Sequence, residues 1–264
     1  MNLVFPVVVA GLVSLAGVGA LRAQDSAEAK GQAFVEEAQR SQTGFGDLTV
    51  SLRMTLREAG GRTRVREMQV MVLEMKGDGE RSLVMLECPA DLNGLAVLTH
   101  SHVTAPDDQW LYVPSLGRVR RLSASDRSAA FLGSEFTYED IAAQRPEAYR
   151  HRWLKEVVED DRELVVVERR PLSPGSAYIR HEMWFDRETR RPVRILFFSR
   201  DGDHLKTLFF GGYQLYLERF WRATDMRMEN HRNGASTRLE WSGMSFRTGL
   251  SPADFESRAL GRGR

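Results

Sequence analysis

The chain has 264 residues, 42% of them hydrophobic and 28% charged, with 37 bases against 36 acids and a formal net charge of +1. So even a balance gives no global case for nucleic-acid binding. The length suits one globular domain, because all-β barrels reach it undivided, and the single cysteine, Cys88, excludes an internal disulfide framework.

Residues 3–21 are apolar and rich in Val, Gly and Ala, with small residues at 18–20 and at 23. Residues 1–23 therefore read as an export signal, with a mature chain beginning between Leu21 and Gln24. An uncleaved anchor is the rival reading, since about 20 apolar residues span a bilayer. No Lys or Arg precedes the apolar run, and no cysteine follows it to take a lipid. Either reading places residues 24–264, as one domain, outside the cytoplasm.

Residues 27–40 are expected to form a helix with a narrow apolar stripe, Ala27, Gly31, Phe34 and Ala38, that must dock on a larger surface. Leu48, Val50, Leu52, Met54 and Leu56 then alternate with polar residues, the mark of a half-buried antiparallel strand. Gly60-Gly61 is a hairpin turn. Strands follow at 65–75, 81–87 and 94–103, the second ending at Cys88, which is expected to be buried and unpaired. Strands at 109–113 and 118–122 flank a turn at Pro114 and Gly117. Next comes an apolar flap at 131–141, too short and too broken by Gly133 to stand as a helix alone.

The second half repeats the rhythm, with extended segments at 149–158, 164–170, 178–185, 193–200 and 205–210. Gly211-Gly212 suggests a bulge or bend within a long strand. Segments 221–230 and 236–247 pair through Asn233-Gly234, and 251–260 is a short capping helix with Ser251 at its start and Pro252 in its first turn. The expected architecture is mainly β, ten or eleven antiparallel strands with helices at both ends, in a sheet that must curl because strands twist.

One run carries a resemblance. Trp110, Leu111, Tyr112, Pro114, Gly117, Arg118, Arg121, Phe131, Gly133, Phe136, Tyr138, Glu139 and Asp140 stand in an order that resembles the outer-membrane lipoprotein-sorting (LolA-like) family. Outside that run the likeness is one of strand pattern, from about residue 29 to 260. The resemblance implies an unclosed, strongly curved antiparallel β-barrel, a helical lid, an apolar cavity for acyl chains, and a periplasmic location. It points to Trp110, Tyr112, Phe131, Leu132, Phe136 and Tyr138 as cavity and lid residues. Arg118, Arg120, Arg121 and Asp140 become a rim for head groups.

Enzyme signatures are absent: there is no G-x-S-x-G, P-loop, H-E-x-x-H or zinc spacing. No catalytic residue, cofactor or metal is expected. His100 and His102 share a strand face but have no identifiable third ligand. Glu139 and Asp140 form an acidic first turn that opposes a helix dipole, and Asp140 has Arg118, Arg120 and Arg121 as candidate partners. Those arginines serve either as cations at a cavity mouth or as the solvated charges of an edge strand. Bulky residues such as Phe197, Phe198, Phe209, Phe210 and Trp184 put apolar mass on both strand faces. That fits an ordinary core or a cavity beneath the flap.

Three functions remain open on the sequence. The leading one is a periplasmic carrier of lipid or lipoprotein acyl chains, touching membranes transiently and receiving cargo from an inner-membrane transporter. The second is an envelope sensor or exporter accessory of the same fold. The third is an extracytoplasmic lipid-processing enzyme.

Overall fold

The computed structural model describes residues 16–103, 105–123 and 126–260. Residues 1–15, and with them most of the expected export segment, lie outside the described residues. Helix α1 (Ala16–Arg40) starts earlier than the 27–40 expected from its apolar stripe. Among the described residues, no helix is long and apolar enough to cross a membrane.

Fifteen strands follow among the described residues. They are β1 (Asp47–Arg57), β2 (Thr63–Glu74), β3 (Glu80–Cys88), β4 (Ala96–His100), β5 (Asp108–Val113), β6 (Arg118–Arg121), β7 (Tyr149–Glu159) and β8 (Arg162–Pro171). After them come β9 (Tyr178–Asp186), β10 (Pro192–Ser199), β11 (His204–Gly211), β12 (Gln214–Tyr216), β13 (Phe220–Arg222), β14 (Asp225–Asn230) and β15 (Ser236–Phe246). Thirteen of them make one antiparallel sheet in the order β6-β5-β4-β3-β2-β1-β15-β14-β11-β10-β9-β8-β7. The sheet curls without closing: β6 and β7 are its two edges, and they do not pair.

The count exceeds the expected ten or eleven partly because the 205–230 region is divided. The chain leaves the ladder at Gly211, makes the separate β12–β13 hairpin, and returns at Asp225. Gly212, at φ +60°, sits so close to Thr224 that an added Cβ would lie 2.5 Å from its hydroxyl. The Thr224 hydroxyl instead donates to the Gly212 carbonyl at 2.7 Å, closing the excursion.

Period-two alternation assigns the faces. Val50, Val70, Val84 and Val97 meet across the register on the inner face, with Val167, Met183, Ile195, Leu208, Met228 and Leu239 on the remaining strands. Helix α1 packs on this face against β7. Phe34 meets Trp153 and Phe185 edge-on, with ring centroids 5.5 and 5.3 Å away. Gly31 permits that approach, since a Cβ there would lie 2.6 Å from the Trp153 backbone nitrogen.

On the outer face, Met71, Leu83, Leu98 and Trp110 form a second cluster, capped by the C-terminal segment through Phe255, which is fully buried. That segment is two 3-10 turns, Pro252–Phe255 and Ser257–Ala259, rather than the expected helix. His100 bonds the Phe255 carbonyl at 2.7 Å, which gives this histidine a structural partner.

Cys88 is exposed, not buried. The register opposes Met68 to Leu86 but Glu67 to Cys88, so Glu87 is an extra, bulged residue. The bulge turns Cys88 to the face opposite that of Leu86, which simple alternation does not anticipate.

The helix-to-sheet contact yields a direct test. Gly31→Ala gains about 1 kcal/mol of helix propensity but forces a methyl into the β7 backbone, an overpacking cost of about 1–3 kcal/mol. The expected result is a net loss of stability in urea unfolding. A stabilised variant would show that α1 stands further from β7.

Candidate functional site

The two unpaired edges are consecutive in the chain, so the connection from β6 to β7 must cross the open side of the sheet. It contains the flap foreseen at 131–141. Little of the flap is regular: a 3-10 turn at Phe131–Gly133, with Leu132 at φ +52° and Gly133 at φ +73°, then the single-turn α2 (Tyr138–Ile141). Thr137 and Asp140 form a capping box for that turn. An isolated helix of this length has no stability of its own, so its order comes from the sheet beneath.

Apolar contacts seat it first. Phe131, Phe136 and Tyr138 are all buried, and Phe131 meets Tyr138 edge-on at 5.5 Å. Polar contacts then fix its position. Asp140 accepts from Lys206 Nζ at 2.6 Å, with both side chains only 3% exposed, and from the Tyr178 hydroxyl at 3.0 Å. Burial and the Asp140 charge raise the Tyr178 phenol far above its ordinary value. Lys206 also donates to the Glu135 carbonyl at 2.9 Å. Glu139 accepts from the Ser176 hydroxyl at 2.5 Å and the Ala177 amide at 3.0 Å, and Glu135 accepts from Asn230 at 2.6 Å. The flap is thus tied to β9, β11, β14 and the loop before β9.

Between flap and sheet lies a cavity of about 300 Å³. Its roof includes Phe131, Phe136 and Ile141, and its walls are mainly aliphatic and aromatic, among them Val70, Val84, Ile195, Leu208, Leu239 and Trp241. Three ionisable groups interrupt that lining: Asp140, Glu80 and Arg169. Asp140 is paired with Lys206 as above. Glu80 makes no side-chain hydrogen bond or ion pair among the described residues. Burial, reinforced by the neighbouring charge of Glu74, pushes its carboxyl up to about 7.

Arg169 belongs to a row across the inner face. The register sets His151 opposite Arg169, Arg169 opposite His181, His181 opposite Phe197, and Phe197 opposite Lys206. All four polar members are buried. The histidines are neutral: burial and the Arg169 charge bring His151 down to about 4, and burial with Arg169 and Lys206 holds His181 well below its ordinary value.

The anticipated site residues divide. Phe131 and Phe136 line the cavity, and Leu132 and Tyr138 pack in the same core and seat the flap. Trp110 and Tyr112 do not reach it. Their register places them on the outer face with Leu98 and Ala96, in the cluster under Phe255. Arg118, Arg120 and Arg121 lie exposed on edge strand β6. Arg120 pairs with Asp126 at 3.3 Å and Arg121 with Asp108, so Asp140 takes Lys206 rather than any of these arginines. His102 pairs with Asp78 at 2.8 Å. Among the described residues, no group of three or more His, Cys, Asp or Glu side chains could hold a metal.

Glu80, Arg169 and Lys206 were not anticipated. Their signal was available: Arg169 continues the inward series Val165, Val167, and Lys206 opens the inward series Leu208, Phe210. A charge on the apolar phase of a strand is the exception that merits inspection.

Two outcomes follow from this geometry. Lys206→Met leaves Asp140 buried without its cation, so unfolding free energy should fall by about 3–5 kcal/mol. The double variant with Asp140→Asn should cost less than the two single changes summed, and strict additivity would show that the pair is not coupled. For Glu80, the folded carboxyl titrates near 7 and the unfolded one near 4.5. The folded state therefore binds more protons between those values, and stability falls as pH rises through that window. Glu80→Gln should be more stable than wild type at about pH 8, with the gain vanishing by about pH 4. Thermal unfolding across pH reads this, and a gain that is constant with pH would refute it.

Comparison with known proteins places this arrangement. Residues 78–262 match a family model described as an uncharacterized protein family. No curated protein matches. A provisional outer membrane lipoprotein-sorting protein domain from Vibrio parahaemolyticus is 39% identical, with 89% of this chain and 100% of that one covered and a TM-score of 0.86. A DUF1329 family protein from Desulfovibrio piger is 27% identical over 89% of this chain and 99% of that one, TM-score 0.83. A LolA superfamily protein from Nitrosomonas europaea is 25% identical over 87% and 99%, TM-score 0.71. With the curled sheet, the flap across its open side and the cavity beneath, the chain belongs to the outer membrane lipoprotein-sorting, LolA-like family.

Proposed function

We propose that this protein is a periplasmic carrier that shelters an acyl chain of a lipid or lipoprotein and moves it toward the outer membrane. One observation carries the reading: the flap and the inner face enclose an apolar cavity of about 300 Å³ instead of packing solid. Each methylene transferred from water into such a lining contributes about 0.8 kcal/mol. The volume lies at the lower end of the range for ligand pockets, about 300–1,000 Å³. In this closed form the cavity takes one chain, and larger cargo requires the flap to lift.

The flap is suited to that movement because it has almost no regular structure of its own to break. Gly133 and the connections to β6 and β7 provide its turns. Docked, it satisfies itself through the Lys206–Asp140 pair and the Glu139 contacts. Lifting it offsets part of the energy gained by chain burial, so cargo can be bound and still released. Exposed Arg118 and Arg120 on β6 are proposed to meet anionic head groups during brief membrane contact. Removal of residues 1–23 on export and loading from an inner-membrane transporter complete the reading. It assigns no catalytic step to any residue.

Phe131→Ala with Phe136→Ala tests the moving part. A Phe that serves only as core costs roughly 3–5 kcal/mol on truncation. For a lid, the double variant should lose less than that per residue, while transfer of a fluorescent acyl probe between vesicles changes by about tenfold or more, the equivalent of 1.4 kcal/mol. Full loss of stability with unchanged exchange by the folded fraction would assign the flap to structure. Lipid extracted from the purified protein and identified by mass spectrometry is the companion measurement. Absence of both lipid and probe transfer would favour the accessory reading.

A further inference from the structure

We propose that the cavity is built for an amphiphile with an anionic oxygen head group, a carboxylate or a phosphate, and that Arg169 receives that group inside the protein. The inference rests on the carrier reading and names its class of cargo.

Arg169 is 3% exposed and lines the cavity. A guanidinium has five N–H donors. One is used: Nε donates to His181 Nδ1 at 3.1 Å. The Tyr149 ring supports the guanidinium 4.4 Å from its centroid, and the Tyr149 hydroxyl is itself anchored to Gln144 at 3.0 Å. No carboxylate lies within 4 Å of Arg169 among the described residues, and neither Nη atom has a protein acceptor there. The side chain is held at Nε and stacked on a ring, which leaves the two-nitrogen edge without a protein partner.

The neighbouring positions in the row sharpen the contrast. Lys206 has both a carboxylate and a carbonyl. The two histidines are neutral and supply no negative charge. Since His181 Nδ1 accepts from Arg169, its proton sits on Nε2, and that N–H also lacks a partner among the described residues. Glu80, in the same cavity, stands beyond ion-pair distance of Arg169. A buried cation without its counter-charge is costly to retain. A carboxylate or phosphate matches the free edge of the fork with two parallel, charge-assisted bonds. Trp241, also in the lining, has an indole N–H with no acceptor among the described residues, a further donor for the same oxygens or for a linkage beside them. The aliphatic walls then accept the chain.

The test uses the full folded chain and a neutral reporter, N-phenyl-1-naphthylamine, displaced by palmitate, hexadecyl phosphate or hexadecanol. Charge-assisted hydrogen bonds contribute about 1.5–3 kcal/mol, so at least one anionic compound should bind about tenfold or more tightly than hexadecanol. Whichever of palmitate and hexadecyl phosphate binds better identifies the oxyanion. Arg169→Met should remove the anionic advantage and leave hexadecanol affinity within about threefold, since the aliphatic lining is untouched. Equal affinities in the wild type, or an anionic preference that survives in Arg169→Met, would overturn the inference while leaving an acyl-chain carrier intact. Failure of all three compounds to displace the reporter would overturn the carrier reading and this inference together. Should Arg169→Met not fold, Arg169→Gln, which removes the charge and keeps a polar side chain, takes its place, and equal affinities of the three compounds in the wild type still overturn the inference.

Discussion

The governing constraint is that the thirteen-stranded sheet does not close. Twist makes a sheet of this width curl, yet β6 and β7 end it as separate edges. A closed barrel would pair those edges and fill its interior with its own side chains. Here the inner face is left with an open side, and two elements cover it. Helix α1 packs against β7, close enough that only glycine fits at position 31. The connection between the edges covers the rest. Because it links the last strand of one half to the first of the other, it has nowhere to go but across the opening.

That connection is fastened by two kinds of force with different consequences. The apolar anchors Phe131, Phe136 and Tyr138 contribute most of the attraction but little direction. The Lys206–Asp140 pair supplies direction: desolvation cancels much of its Coulombic gain, but a shift of the flap would strand two buried charges. The flap therefore has one well-defined closed position instead of a continuum of loose ones. Residual space beneath it persists because the roof is made of turns, whose side chains cannot interdigitate with the sheet as regularly as a helix face would.

The polar row across β7 to β11 shows how a single sheet face can carry several roles. His151, His181 and Lys206 are each accounted for by a neutral imidazole or by an ion pair. Among the described residues, Arg169 and Glu80 have no ion-pair partner, and both face the cavity. Ionisable groups without a counter-charge in an apolar lining are where folding and function pull apart, because the fold alone gives no reason to keep them there.

Alternation and turn chemistry by themselves determined the strands of β1 to β3, the Asn233-Gly234 hairpin, the mainly antiparallel architecture and the existence of a flap that must dock. These are local properties, written in period-two patterns and in Gly, Pro and Asn positions. What the sequence left undecided were the matters that depend on which strands become neighbours. The bulge at Glu87 inverted the expected burial of Cys88. Register put Trp110 and Tyr112 on the outer face, although alternation by itself could not say which face was inside. Asp140 found Lys206, 66 residues away, in place of the nearby arginines, because curling brings β11 under the flap while β6 stays at the exposed edge. The cavity and its unpaired Arg169 exist only once the sheet has curled and the flap has closed over it, since enclosure is a property of the whole surface and not of any stretch of chain.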